Sequence, residues 1–548
     1  MFYNGVFLHL KMSKLHSFTT NISEVKLPNE IAYPHNYFPH KIAQIASEEL
    51  QVYLKKQKAI NHIVGLNSNT RIGKMFGVLV VRDTSDKLRY LAAFSGKILN
   101  STLHPYFVPP VFDNLNINNF YIKAEAELNK LTKEINRLYK DKEYLNSKLD
   151  FENKKELNKK TIEQEKIKIK ERRKLRKKEN KVDNQKNLNE EFFLREYEIY
   201  LNEKLKPLEL NYTAFKNKIN RLIKKRSKLS ADTQRKLFES YLFLNSHDEC
   251  LNLFDIYKNN TQNIPSGAGE CCAPKLFQYA FLNKLKPIAL AEFWWGNQLS
   301  SSVRKHKQYY PACTGKCRPI LNHMLKYLPV APNPLLKDLN QIKSLNIIYE
   351  DKYLMAVNKP DKILSVEGKE VKNSIEHLVK KNYPDLSGPL IVHRLDMSTS
   401  GVLLIAKNKQ IHKHLQQQFI QKKIYKKYVA LLDGMLKKDK GLIDLPLRVD
   451  INDRPRQTVC YQHGKKALTE WRKISIENNI TRVNFYPISG RTHQLRVHSA
   501  HKSGLNIPIV GDQLYGRRYK RLYLHAEEIM FVHPIFKEKL KIIAPVPF

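Results

Sequence analysis

The stretch AEAELNKLTKEINRLYKDKEYLNSKL (124–149) carries Leu128, Leu131, Ile135, Leu138, Leu145 and Leu149 at steps of three, four and seven residues. That spacing lays apolar side chains along one stripe of a helix, so the segment is expected to form a coiled-coil hairpin. It runs into KIKIKERRKLRKKENK (166–181), where basic residues dominate every face. Such a run is either a solvated helix or a basic arm lying along RNA phosphates. The helical segment divides the chain into four parts. A mixed α/β region covers 1–118, the basic helical segment 119–230, a third region with cysteines and aromatics 231–341, and a C-terminal domain 342–548.

At 548 residues the chain is too long for one ordinary core. Lys and Arg number 95 against 53 acids, a net charge of +42. That excess points to a polyanionic partner, with nucleic acid first and a membrane surface as the rival. No apolar run reaches the 18 or so residues that span a bilayer. The N-terminal MFYNGVFLHLKMSKLHSF lacks a small-residue cleavage site and does not read as a signal peptide; Met12 is an equally good start. Six cysteines in so long a chain make no disulfide framework, so a reducing cytoplasm is the expected compartment.

In the first part, GKMFGVLVVRDTSDKLRYLAAFSGKIL (73–99) reads as a β-hairpin around DTSDK. No GK[ST] follows its glycines, which excludes a P-loop. The third part holds Cys271, Cys272, Cys313 and Cys317. Their spacing is unlike the paired C-x2-C of a zinc ribbon, and adjacent cysteines rarely both face one metal, so buried thiols are expected and no metal. Arg304, Lys305, His306, Tyr309 and Tyr310 mix cations with aromatics, as single-stranded RNA would suit or as a core would use.

The C-terminal part carries the chemistry. SLNIIYEDKYLMAVNKPDKILSV (344–366) reads as two strands around EDK, NSIEHLVKKNY (373–383) as a short helix, and IHKHLQQQFIQKKIYKKYVALLDG as a helix running into a strand. The element order is irregular, so the class is α+β with a mixed or antiparallel sheet. In IVHRLDMSTSGVLLIAKN (391–408) two apolar, strand-like runs flank Asp396 and a small-residue turn. A carboxylate there lies at a strand end over a cleft, or merely caps the turn. GRTHQLRVH (490–498) follows a strand; Thr492 is read as a helix N-cap, with Arg496 one turn along on the same face. An arginine fork is the natural partner for a carboxylate that must stay ionised. In KKIYKKYVALLDG (422–434) only one of Tyr425 and Tyr428 can face the cleft. Alternation puts Tyr428 with Ala430 and Leu432, either against a base or in the core.

Together and in this order, HRLDMSTSG, YKKYVALLDG and GRTHQLRVH resemble the three core motifs of RluA-type pseudouridine synthases. IIYEDKYLMAVNKPDKILSV resembles the family's opening strands, PIVGDQLYG (508–516) its later loop, and GLIDLPLRVDINDRPRQTVCYQHGKKALTEW (441–471) the branch that modifies both 23S rRNA and tRNA. The resemblance covers about 342–548. It implies a pseudouridine synthase fold and cofactor-free isomerisation of uridine in an RNA stem-loop. Asp396 would be the catalytic aspartate, acting as nucleophile or base, with the positive charge around it favouring the ionised form. Tyr428 would pack on the flipped base and assist late proton removal from C5; Arg496 would pair with the aspartate. Arg394 would hold the displaced stack open and Leu495 touch the base. Arg454, Arg456 and Arg491 are expected RNA contacts, and His393 is expected to be structural. SAHKSGLNI (499–507) is slightly longer than the compact family form. The competing reading is a non-catalytic RNA-binding or ribosome-assembly factor on the same fold.

Overall fold

The computed structural model describes residues 14–35, 37–66, 72–116, 119–179, 184–258, 264–298, 303–333, 344–368, 373–386, 388–450, 453 and 455–548. The chain forms two units, Asn114–Ser240 and the remainder.

In the larger unit, α1 (Lys41–Lys56) buries Ile42, Leu50 and Leu54. β1 (Lys74–Arg82) and β2 (Leu88–Phe94) form the expected hairpin, with Arg82 opposite Leu88. Asp83 closes its turn by accepting from the backbone N–H groups of Ser85 and Lys87, both at 2.9 Å. Beyond the helical unit come α2 (Cys272–Leu282), β3 (Lys286–Trp295) and α3 (Arg318–Met324). β3 pairs antiparallel with β1, Ala291 opposite Val78, so the sheet order is β2-β1-β3. The first and third regions of the sequence division are therefore one accessory domain around one core, which includes Phe76, Val80, Phe94, Phe293 and Trp295. Pairing between strands so far apart in sequence leaves no local signal.

The C-terminal domain contains β4 (Ile347–Glu350), β5 (Leu354–Lys359), α4 (Ile375–Asn382), β6 (Ser400–Ala406), α5 (Lys409–Ile420), β7 (Tyr425–Leu432) and β8 (Lys440–Asp444). It continues with β9 (Leu468–Glu477), β10 (Ile480–Pro487), α6 (Gln494–Ala500), β11 (Leu524–Val532) and β12 (Lys539–Ile543). One mixed sheet runs β8-β9-β10-β7-β11-β6-β5-β4, with β12 on β11. Only β11 with β6 is parallel among the described pairs. The continuous apolar run GVLLIA becomes intelligible here. Val402 and Leu404 pack with Ile411 and Leu415 of α5, while Leu403 and Ile405 pack with Ile375 and Leu378 of α4. A strand covered on both faces needs no alternation, and each fully buried Leu or Ile contributes about 1.5–3 kcal/mol.

Among its described residues the second unit has three helices, Phe120–Tyr139, Lys142–Lys178 and Asn184–Ser240. The last extends ten residues past the boundary set at 230. Leu131 and Ile135 are buried as expected, but Leu145 and Leu149 are exposed. The helix breaks at Lys140, and the Asp141 carboxylate caps a new one by accepting from Glu143 N–H at 2.8 Å. The break resets the phase of the stripe, so Tyr144 is buried instead, against Ile135 and Ile219. In the basic run, Arg173 and Arg176 pair with Glu190 on the facing helix.

Candidate active site

Asp396 lies in the loop between the Ile391–Ile405 bridge and β6. The backbone on either side of it is held. Ser365 Oγ donates to the Leu395 carbonyl and accepts the Leu395 N–H, both at 3.0 Å. On the other side Lys359 Nζ donates to the carbonyls of Met397 (3.2 Å), Ile363 (2.9 Å) and Pro360 (2.8 Å). Lys359 is fully buried, and burial brings its amine down to about 7, with Asp361 and Asp396 acting against that shift. The loop re-enters the sheet at Gly401, whose φ of +118° and closeness to β11 exclude a side chain; a Cβ there would stand 2.2 Å from the Ala526 carbonyl oxygen.

Arg496 comes from α6 and is buried. Its Nε and Nη2 donate to both oxygens of Asp512, at 2.8 and 2.7 Å. Nη1 faces Asp396 at 3.8 Å. The expected fork-to-aspartate pair is thus corrected: the fork belongs to Asp512, and Asp396 receives a single longer contact. Burial works to raise the Asp512 carboxyl, but the Arg496 charge and hydrogen bonds, with N–H groups of Tyr515 and Leu514, hold it below the usual carboxylate range. Burial opposes the Arg496 charge as well, and Asp512 more than restores it. The start of α6 also differs from expectation. Its N-cap is His493, in the left-handed region at φ 54°, and Thr492 is exposed. The cap makes no side-chain hydrogen bond; the Gln494 amide oxygen instead holds the chain leading into the helix, accepting from Arg491 N–H at 3.0 Å and Ser489 Oγ at 2.8 Å. His493 Nδ1 lies 2.9 Å from the Tyr515 hydroxyl, and burial brings this histidine down to about 4.

Tyr428 sits on β7 between Phe485 of β10 and Ala526 of β11. It lines the cleft, whereas Tyr425 is 40% exposed and leans on Tyr486. Burial, and then the Asp396 charge, raise the Tyr428 phenol, so it is a neutral O–H at physiological pH.

These groups open into a cleft of about 1800 Å³, lined by Asp396, Tyr428, Arg394, Arg491, Leu495 and Arg496. Its other wall is the accessory domain, including Tyr33, Phe38, Lys305, Lys307, Tyr309 and Arg318. Among the described lining residues only Glu367, Asp396 and Asp433 are acids, against ten Lys and Arg. Arg456, an expected RNA contact, is buried beside the accessory domain. It is 5% exposed, paired with Asp453 at 3.0 Å and lying over the Tyr310 ring, while Arg304 pairs with Asp453 from the accessory side. Arg454 lies outside the described residues. His393 Nε2 accepts the Leu404 N–H at 3.1 Å; burial takes it down to about 3, the neutral structural histidine expected. Sequence reasoning missed Asp512 and Lys359, although both stand in stretches it used, PIVGDQLYG and VNKP.

Residues 353–501 match the family described as RNA pseudouridylate synthase. Over 198 residues the chain is 43% identical to the dual-specificity RNA pseudouridine synthase RluA of Yersinia pestis, spanning 35% of this chain and 93% of that protein. The corresponding Escherichia coli K12 protein is 41% identical over 212 residues, 37% of this chain and 94% of that one. Among solved structures, human RNA pseudouridylate synthase domain containing 1 aligns with a TM-score of 0.32 and 26% identity, over 40% of this chain and 87% of the other. The chain belongs to the RluA-type RNA pseudouridine synthases and carries a long N-terminal extension ahead of its synthase domain.

Proposed function

We propose that this synthase isomerises a uridine in a stem-loop of 23S rRNA, tRNA or both, with Asp396 as the catalytic carboxylate. The observation that carries the assignment is the placement of Asp396. It is a carboxylate pinned through its neighbours' backbone, facing a cleft rich in Lys and Arg, with Arg496 at 3.8 Å. Asp396 acts on the ribose, as nucleophile at C1′ or as base, while the glycosidic bond breaks; the uracil turns and C5 bonds to C1′. The hydrogen at C5 must then leave. A neutral phenol accepts a proton only by handing on its own, and Asp396 is the carboxylate whose charge Tyr428 feels. Tyr428 therefore packs on the base and relays the C5 proton toward Asp396. Arg394, exposed at the rim, holds the displaced stack open, and Leu495 contacts the base. Extrusion of the base costs a few kcal/mol, least in an unpaired loop.

The RNA class rests on the likeness to relatives whose names specify dual specificity. The accessory wall of the cleft adds cations and aromatic rings facing the same space, which suits an unpaired loop. The free cysteines fit a reducing cytoplasm. No helix among the described residues is long and apolar enough to cross a membrane. The test is incubation with total RNA from cells lacking the gene, followed by carbodiimide-stop mapping of each RNA class. A new pseudouridine in a stem-loop of rRNA or tRNA is expected. Modification confined to another RNA class would overturn the substrate assignment.

A further inference from the structure

Three sulfurs converge in the accessory domain, away from the residues of the isomerisation. Cys271 immediately precedes α2, and Cys313 and Cys317 lie in the turns before α3. All three sulfurs fall within 4.8 Å of one another, and Cys313 and Cys317 approach to 3.5 Å. Zinc–sulfur bonds of about 2.3 Å place the sulfurs of a tetrahedral site roughly 3.8 Å apart, so the cluster already has the dimensions of a single-ion site. Cys272 turns the other way, its thiol donating to the Met75 carbonyl at 3.4 Å. Adjacent cysteines rarely face one ion, and here only one of the pair joins the cluster.

A second observation points to a ligand. Two buried side chains beside Cys313 hold a polar atom with no hydrogen-bond partner among the described residues, His35 Nε2 and Glu292 Oε2. His35 is 9% exposed and Glu292 3%. The other nitrogen of His35, Nδ1, is 2.9 Å from the Ala312 carbonyl, an arrangement that fixes the ring and leaves Nε2 basic, as in metal-binding histidines.

We propose that Cys271, Cys313 and Cys317 bind one zinc-class divalent ion as thiolates, with the fourth donor drawn from His35 or Glu292. On binding, all three thiols release their protons to solvent and the dication offsets the thiolate charge. The ion ties α2 to the segment whose Pro311, Thr314 and Arg318 line the catalytic cleft. Its role is to hold that wall in place.

The test uses the full chain, purified under reducing conditions without chelator, with metal measured by inductively coupled plasma mass spectrometry. About one zinc per chain is expected in the wild type and in Cys272→Ser, and less than about a tenth of that in Cys313→Ser and Cys317→Ser. If the serine variants fail to fold, Co²⁺ added to metal-stripped wild type decides. A near-ultraviolet thiolate-to-cobalt charge-transfer band, abolished by competing Zn²⁺, supports the site. Wild type that carries no metal and gives no such band overturns it. So does full metal content in folded Cys313→Ser, or a Cys313–Cys317 disulfide, seen as the loss of two hydrogens, in anaerobically purified protein.

Discussion

Arg496 gives its two-pronged face to Asp512, at 2.7 and 2.8 Å, and turns only its remaining nitrogen toward Asp396, 3.8 Å away. The division has a physical sense. A carboxylate locked in a bidentate arginine pair is a poor nucleophile, because its lone pairs are occupied. Asp512 anchors the guanidinium, so the arginine lends Asp396 positive potential without consuming its oxygens.

Asp512→Asn therefore strikes the anchor and leaves the buried guanidinium only its longer contact to Asp396. Loss of about 3–5 kcal/mol is expected, measured by urea denaturation, together with loss of activity. An unchanged unfolding midpoint would mean that Arg496 finds another partner.

Tyr428→Phe keeps the ring that packs on the base and removes only the hydroxyl. Native stability and RNA affinity within about twofold of wild type are expected, with turnover lower by roughly 10²–10⁴-fold, the usual worth of a positioned proton-transfer group. Single-turnover pseudouridine formation measures this, and near-normal turnover would restrict Tyr428 to packing.

Acid should destabilise the protein through its buried histidines. Burial lowers His393 to about 3, and His493 and His498 to about 4. Each takes up its proton in the unfolded chain near 6.5 but not in the folded one, so the unfolded state binds more protons between about 6.5 and 4. Stability is present in full above pH 6.5 and falls as pH drops toward 4, by up to about 3 kcal/mol per histidine. In urea titrations across this window, His498→Gln should show a slope shallower by up to about one proton. An identical slope would exclude His498 as a contributor.

The basic helix offers its own test. Arg173 and Arg176 are already paired with Glu190, while Lys170, Lys174 and Lys177 are exposed. If these lysines meet phosphates, replacing all three with Gln should lower RNA affinity and reduce the salt slope by about 0.7–0.9 for each phosphate no longer neutralised. An unchanged slope would make this run a solvated helix.

The synthase domain was legible because its signals are local. The EDK hairpin, the helix after Ser374 and the doubly buried GVLLIA strand each follow from a few adjacent residues, and Asp396, Tyr428 and Arg496 line one cleft. What escaped depends on long-range contact. The pairing of β1 with β3 joins segments on opposite sides of the helical unit, and Asp512 takes the Arg496 fork from a loop read only as a family feature. Arg456 reads as a phosphate contact on a loop, but it is buried over the rings of Tyr310 and Tyr515. The stripe through Leu145 and Leu149 failed because Asp141 starts a new helix and rotates the phase.

The central claim is that Asp396 performs the isomerisation. Tritium release from RNA transcribed with 5-³H-uridine tests it most directly, because pseudouridine formation must expel the hydrogen at C5 whatever the target site. Release by the wild type and none by a folded Asp396→Asn variant is the expected result. Release by both proteins would contradict the assignment and place the chemistry on another carboxylate.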